Sequence, residues 1–203
     1  MQSGDFNWIK FGGVKNPRSM LSSDVFNLET YDGEDPPNLI AKGPIDIIRM
    51  TEMSKFEVFE ILIDNPINGA QSTYTISFEA KTPIRDGDIF NLLLPTSIKS
   101  PKEPICNTEN NCLDSISCTS ERGKLIATFG VTRSICMQDD AEISFSVEDM
   151  TNAPSTLPSE SIEAFWTSSN YMDVCEYQGD PDVPYTIKNT ISGTIDPNTV
   201  AIN

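Results

Sequence analysis

The chain has 203 residues, 38% of them apolar, and its 14 basic and 30 acidic side chains leave a net charge of −16. That length can bury a sizeable core, and that charge excludes nucleic acid and anionic membrane surfaces as natural partners, favouring cations and basic proteins instead. Histidine is absent, which removes Ser-His-Asp and Cys-His chemistry, disfavours zinc, and would leave an enzyme only carboxylates, Lys or Tyr to work with.

The first residues, MQSGDFNWIKFGG, lack the basic start and apolar stretch of a signal peptide, and no apolar run in the chain approaches the ~18 residues of a membrane helix. Residues 15–30, KNPRSMLSSDVFNLET, have a counterpart in residues 152–167, NAPSTLPSESIEAFWT. Aligning Pro17 with Pro154, an offset of 137 residues, also pairs Ser22 with Ser159, Val25 with Ile162, Leu28 with Phe165 and Thr30 with Thr167. Upstream, Phe6 and Trp8 fall on Ile143 and Phe145; downstream, with some slippage, YDGEDPPN (31–38) meets YQGDPDVP (177–184). This order of features is the mark of an internal repeat.

Strand signals follow. In KFEVFEILI (55–63) the apolar phase switches between Val58 and Phe59, as at a bulge or where an edge strand crosses between sheets. STYTISFEA (72–80) puts Tyr74, Ile76, Phe78 and Ala80 on one face. KLIATFGV (124–131) alternates through Leu125, Ala127, Phe129 and Val131, and EISFSVE (142–148) through Ile143, Phe145 and Val147. Asp32-Gly33, Asn68-Gly69, Asp86-Gly87 and many prolines mark turns between them, and no window carries a capped helical period.

Short alternating strands and frequent turns predict an all-β fold, an antiparallel Ig-like β-sandwich. Its core should include Tyr74, Ile76, Phe78, Leu92, Leu125, Phe129, Ile143, Phe145 and Ile162. The repeat divides the chain into residues 1–54, the closing strands of a preceding sandwich; residues 55–195, a full sandwich with a Cys-rich loop at 96–123; and residues 196–203, the start of a further copy.

Five cysteines stand at 106, 112, 118, 136 and 175. Their Cys-x5-Cys-x5-Cys spacing is not that of a zinc site and reads as disulfides in an oxidising compartment. Among the alternative pairings, Cys106–Cys112 and Cys118–Cys136 is the one expected, with Cys175 unpaired.

TYTISFEAKTPIRDGDIFNLLLP, a Cys-containing loop, and then ISFSVEDMTNAPSTLPSESIEAF together resemble the repeated units of very large surface proteins of ciliate protozoa. Those units carry a Tyr-Thr-Phe-Ser-Phe-like strand, then IP-x-x-G-x-I-x-I-x-FP, and later NPPST-x-PS-x-S. Tyr74 to Phe78, Pro83 and Ile84 with Gly87 to Leu94, Pro95, and Asn152 to Ser161 occupy those places. The resemblance covers one unit and the preceding half, and implies tandem extracellular β-sandwiches without enzymatic chemistry. The first copy departs from it, with KNPRSMLSSD in place of NPPST and no cysteine matching Cys175.

Other chemistry is weighed against this. Acidic turns at Asp32, Glu34 and Asp35 and at Asp180 and Asp182, with Asp139-Asp140 and RDGD (85–88), would suit calcium, although they lack the ligand spacing of an EF-hand, and solvated turn acids are the plainer reading. No pair of carboxylates stands out as a glycosidase couple. Trp166, Tyr171, Tyr177 and Tyr185 could stack on sugar rings, with core packing the plainer account of Trp166. No Asn-x-Ser/Thr sequon occurs.

The expectation is therefore not an enzyme but a structural repeat of an extracellular filament or cell-surface coat. It needs no cofactor and assembles head to tail with copies of itself or with adjacent repeats through Phe6, Trp8, Val25, Phe26 and Leu28. The alternative is an adhesion module that binds calcium or carbohydrate.

Overall fold

The computed structural model describes residues 18, 26–45, 54–109, 112–132, 140–169, 174–177 and 185–187. The regular structure among them is all β, in two compact units, Met1–Met50 and Thr51–Asn203. The first unit contains β1 (Phe26–Tyr31) and β2 (Leu39–Ile45), which pair antiparallel. The second contains β3 (Ser54–Lys55), β4 (Phe59–Ile63), β5 (Gln71–Ala80), β6 (Ile89–Leu93), β7 (Cys106–Thr108), β8 (Ser115–Glu121), β9 (Lys124–Gly130), β10 (Ala141–Thr151), β11 (Glu163–Thr167) and β12 (Val174–Tyr177). These form an antiparallel sandwich: a four-stranded sheet in the order β4-β5-β10-β7 and a six-stranded sheet in the order β3-β12-β11-β6-β9-β8. The short pair β12 and β3 is parallel.

All the core positions read from the alternation are at most 1% exposed: Tyr74, Ile76 and Phe78 on β5, Leu92 on β6, Leu125 and Phe129 on β9, Ile143 and Phe145 on β10, and Ile162. Period-2 burial is the direct reason, since alternate residues of a strand leave opposite faces. The centre of the core is aromatic. Phe90 of β6 stacks on Phe78 of the opposite sheet, with centroids 5.1 Å apart and planes 11° from parallel, and takes the edge of Phe145 at 5.5 Å. Such offset and edge-on pairs add about 0.5–1.5 kcal/mol each beyond the area that they bury.

The apolar phase switch in 55–63 is a sheet crossing. β3 belongs to the six-stranded sheet and β4 to the four-stranded one. Phe56, between them, turns inward and packs 4.7 Å from Phe78, while Val58 is exposed. A second irregularity lies in β10, where the register against β5 shifts between Val147 and Met150. Asp149 adopts a positive φ of 56° there. The extra residue is a bulge, and it returns Met150 to the buried face after Val147.

Asn152 explains why the Asn-Ala-Pro stretch follows β10. Its Nδ2 donates to the carbonyls of Asn65 and Ile67 at 2.6 and 2.7 Å, and its Oδ1 accepts from Tyr74 Oη at 2.9 Å. One buried side chain thus clamps the turn between β4 and β5, in which Gly69 takes a φ of 72°. Burial raises the Tyr74 phenol well above its ordinary range, so it serves as a neutral donor. At the 137-residue offset, Asn152 meets Lys15, which cannot accept from a phenol.

Because Phe78 lies at 1% exposure between Phe56 and Phe90, Phe78→Ala should lower stability by about 3–5 kcal/mol. Chemical denaturation followed by tryptophan fluorescence measures it; a loss under about 1 kcal/mol would reject this packing.

Candidate functional site

In the first unit, the register joins Leu28 to Gly43 and Thr30 to Ala41 on one face of the hairpin, and Asn27 to Pro44 and Glu29 to Lys42 on the other. Lys42 Nζ pairs with the Glu29 carboxylate, which also accepts from Tyr31 Oη at 2.6 Å. The ammonium of Lys42, and then the Tyr31 hydroxyl, hold the Glu29 carboxyl below its ordinary value, and the same carboxylate raises the Tyr31 phenol. Leu28, Tyr31, Leu39 and Ile40 are exposed, Ile40 by 67%. β1 pairs with β2 in a two-stranded sheet, whereas β11, its counterpart in the repeat, lies between β12 and β6.

Of the residues expected to mediate assembly, Leu28 sits on this hairpin and Phe26 opens β1, while Phe6, Trp8 and Val25 lie outside the described residues. The 137-residue offset lays β1 on β11 and Leu28 on Phe165, which is half-buried. YDGEDPPN begins at the last residue of β1 and leads to β2, and YQGDPDVP begins at the last residue of β12, its remaining residues lying outside the described set.

The acidic turn at 32–35 is organised by its own backbone. Asp32 Oδ1 accepts from the Asn38 and Glu34 amides at 2.8 and 3.3 Å, and Oδ2 from Asn38 Nδ2 at 2.9 Å. Those bonds lower the Asp32 carboxyl from its ordinary value, the Asn38 amide first. Glu34 and Asp35 are exposed, and Asp180 and Asp182 lie outside the described residues. Among the described residues, the acids close enough to share an ion are Glu57, Glu79 and Asp140, of which Asp140 alone was among the expected ligands, with carboxylate oxygens within 4.8 Å of one another. A protein cation sits with them. Lys81 Nζ pairs with Glu57, lies 2.9 Å from Asp140 Oδ1 and is 3.4 Å from Glu79 Oε1. Neither this triad nor Lys81 was legible as a site, because the three acids are far apart in sequence and come from the β3–β4 crossing, the end of β5 and the start of β10.

The cysteines also depart from expectation. Cys106 on β7 bonds Cys118 on β8, with Cα atoms 5.9 Å apart. This overturns the expected Cys106–Cys112 and Cys118–Cys136 pairs. β7 and β8 are edge strands of opposite sheets, so the bridge ties the two layers together where a local Cys106–Cys112 loop would have tied neither. Cys112 is disulfide-bonded to a partner outside the described residues, Cys136 itself lies outside them, and Cys175 is a buried thiol. Of the aromatics considered for sugar stacking, Trp166 is fully buried. Tyr185 is half-buried, with its ring edge-on to Phe59 and its Oη accepting from the Ile61 amide at 2.7 Å. Tyr171 and the side chain of Tyr177 are outside the described set.

No protein family model and no curated protein matches the chain. Among solved structures, it is similar to BslA, a bacterial hydrophobin, at 12% identity and a TM-score of 0.37, covering 67% of this chain and 97% of that one. It is also similar to BcpA, the major pilin subunit of Bacillus cereus, at 17% identity and a TM-score of 0.36, covering 82% of this chain and 48% of the pilin chain. Superpositions this loose carry nothing over to the present chain.

Lys81→Met should leave three carboxylates facing one another without their cation. The variant should therefore be less stable than the parent by about 0.5–1 kcal/mol at neutral pH and low salt, with the gap closing on added salt. Melting curves at two salt concentrations check this. Replacing Cys106 and Cys118 together by Ala should cost about 2–4 kcal/mol, read as a lower urea midpoint in the non-reduced protein.

Proposed function

We propose that the chain is a structural module of an extracellular filament or cell-surface coat, joined head to tail to copies of itself or to adjacent repeats, and that it is not an enzyme. The observation that carries this reading is the β1–β2 hairpin. Among the described residues it is a two-stranded sheet with exposed Leu28, Tyr31, Leu39 and Ile40, and a two-stranded sheet is marginal in water until a further strand or layer joins it. The repeat gives β1 the place of a strand that, in the complete sandwich, has neighbours on both sides. A neighbouring copy or repeat supplies the missing one by strand addition. Such a contact joins two different surfaces and does not close on itself, so it propagates.

Other features agree. Disulfide bonding at Cys106, Cys112 and Cys118 belongs to an oxidising compartment. Among the described residues, no helix is long and apolar enough to cross a membrane. The absence of histidine removes the commonest general acid and base, and the acids that cluster already share an ion pair with Lys81. Calcium plays no part in this reading.

The test is concentration-dependent assembly of the full chain, followed by sedimentation velocity and electron microscopy with and without EDTA. Unbranched fibres should form in both conditions, and a chain lacking residues 1–54 should stay monomeric while keeping the circular dichroism of the sandwich. If the truncated chain formed the same fibres, the hairpin would have no part in assembly; if the full chain remained monomeric throughout, the filament reading itself would fall.

A further inference from the structure

Every open sandwich has strand edges, and soluble proteins block them with short strands, charges, prolines or covering groups. Among the described residues, three of the four edges of the sandwich are blocked. β7 has three residues and β3 has two. On β4, the Ile61 amide is capped by Tyr185 Oη at 2.7 Å, and Glu60 adds a charge. β8 differs from them all. It has seven residues, Ser-Ile-Ser-Cys-Thr-Ser-Glu, in unbroken register with β9, without proline, and with its one charge at the last position. None of its residues is buried.

The direction of its free groups follows from β9. The Phe129 amide donates to the Asp88 carbonyl, and its own carbonyl accepts from the Gly87 amide, so Phe129 faces the β6 side. Alternate residues of an antiparallel strand face opposite neighbours, so Thr128 and Ile126 face β8, where they meet Ser117 and Thr119. Ile116, Cys118 and Ser120 therefore turn their N–H and C=O groups away from β9, and among the described residues these have no protein partner.

We propose that this edge of β8 receives β1 of a second copy, so that the six-stranded sheet of one molecule continues into the hairpin of the next. The inference rests on the head-to-tail reading above and names the strand that completes the hairpin. Length agrees, with six residues of β1 facing seven of β8. Among the described residues the hairpin offers β1 as its open side, because Pro44 interrupts the donors of β2. Charge agrees as well. In a chain of net charge −16, β8 has a single terminal carboxylate, and the one acid of β1, Glu29, is neutralised by Lys42, so these two edges can meet without the repulsion that other acidic faces would impose.

Ser120→Pro in the full chain tests this, since it removes one outward N–H at a position where an edge strand tolerates proline. The variant should keep the parent's circular dichroism, fail to elongate, and, because its own β1 still docks on wild-type β8, stop wild-type growth when mixed in at low proportion. Elongation equal to wild type would overturn the β8 assignment while leaving self-assembly intact. A variant that neither elongates nor affects wild-type growth would overturn β1 as the occupant, since β8 would then pair with β8. Wild type that never assembles would overturn both readings. Should Ser120→Pro not fold, hydrogen exchange on wild type decides: the amides of Ile116, Cys118 and Ser120 should slow by about tenfold or more on assembly, and unchanged exchange there would overturn the proposal.

Discussion

The sandwich depends on the contact of Phe90 with the opposite sheet. β6 is the most enclosed strand of the structure, with Ile89, Phe90, Asn91 and Leu92 all buried, and Phe90 projects from it onto Phe78 and Phe145. Those rings sit on adjacent strands, β5 and β10, so one side chain sets the spacing of both from the six-stranded layer. Phe129 and Phe56 close the cluster from β9 and from the crossing between β3 and β4. With five rings in van der Waals contact, small displacements of either sheet are resisted by close packing rather than by hydrogen bonds. Features further out, including the clamp by Asn152 and the edge bridge at Cys106, hold peripheral strands to a frame that the rings have already placed.

Much of this frame was legible because a half-buried strand writes its burial into alternate residues. β5 and β9 are clear cases, and even the phase switch at Val58 and Phe59 corresponds to a real passage between sheets. The bulge in β10 was missed, although Val147 and Met150, three apart instead of two, carried its signal. The cysteine pairing was not readable from spacing. Cys106 and Cys112 are neighbours in the chain, but Cys106 and Cys118 are brought together by the facing of two edges, a tertiary fact. Asn152 looked like one more polar turn residue, because nothing local shows that Tyr74 and two carbonyls converge on it.

The candidate site was legible only in part. Leu28 was recognised as an apolar residue in need of cover, and it stands exposed on β1. The acids chosen as calcium ligands were grouped by nearness in sequence. The fold instead gathers Glu57, Glu79 and Asp140 from three elements and places Lys81 among them, so part of that negative charge is met from within. The same holds at Glu29 and Lys42.

The bridge between β7 and β8 has a mechanical consequence for a module strung between neighbours. If tension unravelled this sandwich, the chain between Cys106 and Cys118, a separation of 12 residues, could not pay out, withholding about 40 Å of contour length. Force would bypass that loop and run through the covalent link. An array of such units would extend less per broken domain than its residue count implies, and would remain anchored at that corner when everything around it had come apart.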